Sequence, residues 1–292
     1  MNLRSIARTP AGEVRAPWRL LFFAAGLVVA GIAVAVIYSP LSGKLGLRGM
    51  TAMTGSSVVN VVTTLVATWF ALRWLDRKSW LEVGLGSRAA RPQLLVGGFL
   101  IGGAAISLPI LLLILFGWLR YAAVLVPPLG HPIVRVTLLL IPAAFFEELL
   151  MRGYLLTVLR DAWNWPMAVA VTSVAFGLLH LRNAGAEFQS VALVTVAGVF
   201  LATVRIVTGS LYAAWAAHFA WNWVMAVLFH ASVSGIAFDA PSYRYVDAGP
   251  DWATGGVWGP EGGIPAGLAM LGGTGFLLLR RRRPEDQQQG DH

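Results

Sequence analysis

Several stretches of this chain run for eighteen or more residues with almost no charge, which is enough helix to cross a hydrocarbon core of about 30 Å. That restricts the fold severely. In hydrocarbon every backbone N–H and C=O must be satisfied within the protein, so only α-helices and closed β-barrels can span. Strand-length segments of about ten alternating residues, the barrel signature, are absent. The sequence therefore predicts an all-α, polytopic membrane helical bundle. The charged fraction of 12% against a hydrophobic fraction of 57% is also far from the roughly 25% charge of a soluble domain.

Eight spans are predicted, near 20–38, 56–75, 94–116, 133–159, 166–181, 189–207, 210–231 and 264–279. The third holds Pro109 and the fourth Pro142, both tolerable in a membrane helix and both able to kink it. Trp163-Asn164-Trp165-Pro166 reads as a short interfacial turn, and Thr208-Gly209 as a tight one. The first apolar run, Leu20–Tyr38, is longer than a signal-peptide core and lacks a small-residue cleavage site, so it reads as a retained span.

An odd number of crossings would place the C-terminal Arg run outside. With eight spans and both termini cytoplasmic, sixteen of the twenty-two Lys and Arg fall inside, among them Arg19, Arg160, Arg205 and Arg280–Arg283. The acidic segment 232–263, with Asp239, Asp247, Asp251 and Glu261, then lies outside, as the positive-inside rule favours. The expected organisation is a cytoplasmic tail 1–19, one transmembrane domain 20–279 with its catalytic core at about 80–230, and a basic, polar cytoplasmic tail 280–292. Abundant Ala, Gly, Arg and Trp with scarce Lys point to a GC-rich bacterial genome, hence a multi-pass protein of the inner (plasma) membrane. Trp18, Trp80, Trp118, Trp163, Trp165, Trp252 and Trp258 read as belt anchors.

The net charge of +8 does not imply nucleic acid as a partner, because the basic residues cap apolar segments instead of lining one face. The chain has no Cys, which excludes disulfides, thiol nucleophiles and thiolate metal sites. Phosphate loops and zinc-binding HExxH helices are absent too.

Three polar clusters interrupt the apolar spans: Glu147-Glu148 with Arg152, Phe176 with His180, and His218 with Asn222. Ionisable groups in a bilayer are costly and point to function. Counted from the expected cytoplasmic helix ends at 1.5 Å per residue, Glu147 lies about 20 Å deep, His180 about 21 Å, His218 about 12 Å and Asn222 about 18 Å. All four can therefore meet near mid-bilayer, in a cavity walled by protein.

Glu148 and Arg152 are i,i+4 and can pair. That leaves Glu147, about 100° away around the helix, free to face the cavity as a general base. The bland alternative is a Glu–Arg pair that only fixes helix packing. Phe176 sits one turn before His180 and can fix its rotamer. Glu147 and His180 could share a water and activate it toward a peptide carbonyl. His218 and Asn222 share a helix face and could donate to one oxyanion, although interhelical hydrogen bonding accounts for such a pair as well.

These three motifs, EExxxR, FxxxH and HxxxN in that order on separate helices, resemble the CPBP family (CAAX protease and bacteriocin-processing, or Abi) of intramembrane glutamic endopeptidases. Thr208-Gly209-Ser210-Leu211 and, more loosely, Leu85-Gly86 add to the likeness, which covers about residues 80–230. The resemblance implies an eight-helix fold and a water-activating Glu147 with His180 as its partner. It also implies oxyanion donors at His218 and Asn222, and no metal or other cofactor. Glu148, Arg152 and Phe176 would support the site.

The expected activity is hydrolysis of a peptide bond in a membrane-associated peptide or protein, and the expected partners are that substrate and the bilayer. The main alternative is a non-enzymatic scaffold or immunity partner with the same fold. A divalent metal bound by Glu, two His and a carboxamide is a minor one. A proton-coupled carrier fits less well, because no two halves with broken helices appear.

Overall fold

The computed structural model describes residues 7–10, 12–123, 130–238 and 243–286. Parts of both expected tails, residues 1–6, 11 and 287–292, lie outside the described residues, as does Asp239. Helices α1 (Ala16–Lys44), α2 (Gly49–Phe70) and α3 (Pro92–Leu115) come first. Next come α4 (Gly130–Glu148) and α5 (Leu156–Ala162), then α6 (Trp165–Leu179), α7 (Phe188–Thr208) and α8 (Leu211–Trp223). A single turn, α9 (Asp251–Thr254), precedes α10 (Ile264–Asp286). Seven of the predicted spans each overlap one of these helices, and the fourth, 133–159, takes in both α4 and α5. Among the described residues, four helices, including α2 with its C-terminal extension to Asp76, are long and apolar enough to cross a membrane by length and composition.

The turns follow local chemistry. Asn164 caps α6 by accepting the Met167 N–H at 2.9 Å, satisfying one of the donors a helix start leaves open. Gly209 ends α7 in the left-handed region at φ 66°, where an L side chain would be strained. The expected tail at 280–292 is in part helical, since α10 runs on to Asp286.

α8 is the axis of the bundle, touched by α3, α4 and α7. Its alanines make this possible: Ala213, Ala214, Ala216, Ala217 and Ala220 are all buried. α3 answers with Gly98 and Gly102, where an added Cβ would overlap the carbonyls of Ala213 and Ala217. Small residues on both sides let the two backbones meet, the usual basis of helix association in lipid. α1 is peripheral and packs on α2. It turns Val28, Val29, Val36 and Ile37 outward, each more than 60% exposed. An apolar face of this size is a liability in water and the expected surface against acyl chains.

The structure departs from the helix-only expectation in two ways. Strands β1 (Leu119–Ala123) and β2 (Tyr243–Asp247) pair antiparallel, with Tyr121 opposite Tyr245. Three π-helical turns also continue helices: Ala71–Asp76 after α2, Leu149–Leu155 joining α4 to α5, and Val224–Leu228 after α8. The kink in the fourth span falls at Gly153, with φ −84° and ψ −116°.

Some charges expected only to orient the chain are structural. Arg19 is buried and pairs with Asp76 at 2.7 Å and Asp161 at 3.2 Å. Arg160 bonds to Asp161 and lies over the Trp165 ring. Arg205 is buried and donates to the Glu82 carbonyl at 3.2 Å. Burial works to raise the Asp161 carboxyl, but hydrogen bonds from Arg160 and Lys78 outweigh it and hold the group below its ordinary value.

Candidate active site

The local geometry begins with the π-turn at Leu149–Leu155. Glu147 and Glu148 close α4 just before it, and Arg152 lies within it. Such turns recur at functional sites because they displace side chains from the regular helical register. Arg152 Nη1 still reaches Glu148 Oε1 at 2.9 Å, and both side chains are completely buried. The guanidinium also donates to the Gly198 carbonyl at 3.2 Å and stacks over the Phe176 ring with its carbon 4.3 Å from the centroid.

Glu148 has a second partner, which the sequence did not reveal: Oε1 lies 2.9 Å from His218 Nδ1. A carboxylate accepts, so Nδ1 carries the proton there. The other ring nitrogen, Nε2, faces Glu147 with 3.8 Å to Oε2. That gap is too long for a direct hydrogen bond and suits one bridged by water. Glu147 keeps its side chain 33% exposed, whereas that of Glu148 is sealed.

His180 is the C-cap of α6. The fifteen residues of α6 rise about 22 Å, and His180 stands at the helix end and not in the middle of a helix. His180 Nδ1 lies 2.8 Å from the Phe176 carbonyl. A carbonyl can only accept, so Nδ1 donates and the neutral ring presents Nε2 as an acceptor. The Phe176 ring stands edge-on to both imidazoles, with centroids 4.8 Å from His180 and 6.0 Å from His218.

Glu147, His180, His218 and Asn222 line one cavity of about 450 Å³. Its walls include Ala52, Met53, Ser56 and Ser57 of α2, and Val233, Ser234, Ile236 and Phe238. A second void of about 30 Å³ adjoins it, bounded by Phe176, His180, His218, Asn222, Ser234 and Glu261. That is the space of about one water molecule. Among the described residues no group of three or more His, Asp or Glu is arranged to hold a metal ion.

Ser234, Trp258 and Glu261 of the segment 232–263, expected as an outer loop, pack back onto the site. Trp258, expected in the interfacial belt, is 1% exposed and sits against Met151, Phe176 and Val194. Glu261 is likewise buried. The only sequence signal for either was apolar content unusual for a loop, in Val233, Ile236 and Phe238.

A helical bundle with much of its apolar surface outward, and with two carboxylates, an arginine and two imidazoles gathered inside, defines a membrane protein with a buried polar site. Residues 129–224 match the family model described as Rce1-like, the type II CAAX prenyl endopeptidases. That is a protease family, and all seven motif residues lie within the matched segment, so the resemblance drawn from the three motifs holds over it. No curated protein and no solved structure matches the chain.

Proposed function

We propose that the protein is a multi-pass endopeptidase of the bacterial plasma membrane with eight transmembrane helices and both termini cytoplasmic. It would cleave a membrane-associated peptide or protein through a water activated by Glu147 and His180. The observation that carries this reading is the unequal treatment of two adjacent carboxylates. Glu148 is sealed and held by Arg152 and His218, while Glu147 remains partly open at the cavity beside His218 Nε2. A buried, ion-paired carboxylate suits support, and an accessible one suits proton transfer.

In this mechanism the water donates one hydrogen bond to Glu147 and one to His180 Nε2, whose tautomer is fixed by the Phe176 carbonyl. Glu147 removes the proton as the water oxygen attacks the scissile carbonyl. The same proton then passes to the departing amine, so the carboxylate is regenerated. Asn222 and His218 donate to the oxyanion. Since His218 Nδ1–H is committed to Glu148, Nε2 can donate only from the doubly protonated ring. His218 must therefore hold both protons when the tetrahedral oxygen forms. Arg152 holds Glu148 in register for that ring.

The test compares wild type with Glu147→Gln, reconstituted in liposomes, on a farnesylated CAAX-terminated peptide, and in parallel compares the membrane peptides of cells carrying each form. Cleavage by wild type only, with equal insertion of both proteins, is expected. Full activity of Glu147→Gln would refute the assignment.

A further inference from the structure

Glu261 is a buried carboxylate that the proposed mechanism does not use, and it lies outside both the matched segment and the three motifs. Three donors converge on it. Trp221 Nε1–H reaches Oε2 at 2.8 Å, and the Ser234 N–H and Oγ–H both reach Oε1 at 2.7 Å. Trp221 immediately precedes Asn222 and lies one helical turn after His218. Ser234 is held from the other side as well, where its carbonyl accepts from Asn183 Nδ2 at 3.0 Å. Asn183 is three residues beyond His180, and its N–H bonds to the His180 carbonyl at 3.0 Å. One carboxylate thus ties the helix bearing His218 and Asn222 to the turn bearing His180, by way of Ser234. Gly235 makes the close approach possible: at φ 80° its position admits no Cβ without overlap with the Ala184 carbonyl.

We propose that Glu261 is a positioning residue of the active site. It would fix the Trp221 indole and the Ser234 turn so that the donors for the oxyanion and the acceptor for the water keep their separation, and so that the Ser234 turn closes the small void beside both imidazoles. The idea rests on the endopeptidase reading. A carboxylate suits the position because all three partners donate. Glutamine would turn its NH₂ toward the Trp221 N–H or toward the Ser234 donors, leaving a donor facing a donor in a buried place.

The test uses the full chain in liposomes, an internally quenched farnesylated CAAX peptide, and Glu261→Gln, Glu261→Ala and Ser234→Ala. Loss of a charge-assisted, buried hydrogen bond corresponds to about tenfold or more. We therefore expect kcat of the folded fraction to fall about tenfold or more for both Glu261 variants, with KM nearly unchanged, and less for Ser234→Ala. A second measurement does not depend on turnover. The chain has no Cys, so Ala197→Cys places a single thiol in the wall of the void. Its labelling by a small methanethiosulfonate should be slow, and faster by about tenfold or more once Glu261 is Ala.

Unchanged kcat in the Glu261 variants overturns the positioning role, even if their thermal stability falls. Unchanged labelling overturns the closure. If wild type cleaves no probe, the endopeptidase reading fails by itself, and the labelling rates still decide whether Glu261 holds the Ser234 turn down.

Discussion

Arg152→Met would separate what stabilises this protein from what makes it reactive. Both Arg152 and Glu148 have side chains with no exposure, so no solvent screens their 2.9 Å pair. Methionine keeps much of the volume over the Phe176 ring but leaves Glu148 with His218 as its remaining partner. Removing one member of a buried ion pair costs about 3–5 kcal/mol, mostly as the penalty of a stranded charge. The lost bond to the Gly198 carbonyl adds about 1 kcal/mol. These contributions overlap, so a total of about 4 kcal/mol is the working figure.

Unfolding by SDS in mixed micelles, followed by far-UV circular dichroism, measures this loss directly. The double variant Glu148→Met/Arg152→Met removes both charges and should recover most of it, because apolar replacements of a buried pair are close to neutral. Activity should not recover, since His218 Nδ1 has then lost its acceptor. A loss below about 1 kcal/mol for Arg152→Met, or a double variant no more stable than the single one, would refute the reasoning.

Asn222→Ala should lower kcat by about 10²–10³ with little change in KM, the usual cost of deleting one oxyanion donor; steady-state kinetics on the quenched peptide decide it. Gly102→Ala sets a methyl against the Ala217 carbonyl and should destabilise by about 1–3 kcal/mol through overpacking, read from the same SDS titration. Asp161, held below its ordinary 3.8, contributes stability that is present above that value and is lost as pH falls through its folded-state value. The penalty of Asp161→Asn should therefore be largest near neutral pH and vanish in acid. A penalty independent of pH would count against the Arg160 and Lys78 contacts as its source.

Where the helices lie was legible because the signal is local: run length and charge content mark a span without reference to anything distant. The Glu148–Arg152 contact belongs to the same class, being four residues apart on one helix. Other features lay beyond that reach. The π-turns after Glu148 and after Trp223 have no sequence signature, since they depend on how the helices pack. Trp258 reads as an interfacial residue in a polar loop, yet it is core, because the loop folds back on α6 and α7.

The sequence by itself determined that this chain is a helical membrane bundle carrying three polar motifs in a fixed order, because hydrophobic length and helical spacing are properties of neighbours. Only the tertiary structure decided which carboxylate holds His218, and that Glu261 reaches Trp221 across 40 residues of chain. Those contacts are set by where separate helices end and how closely their small residues let them approach. Nothing in the spacing of one segment records the position of another.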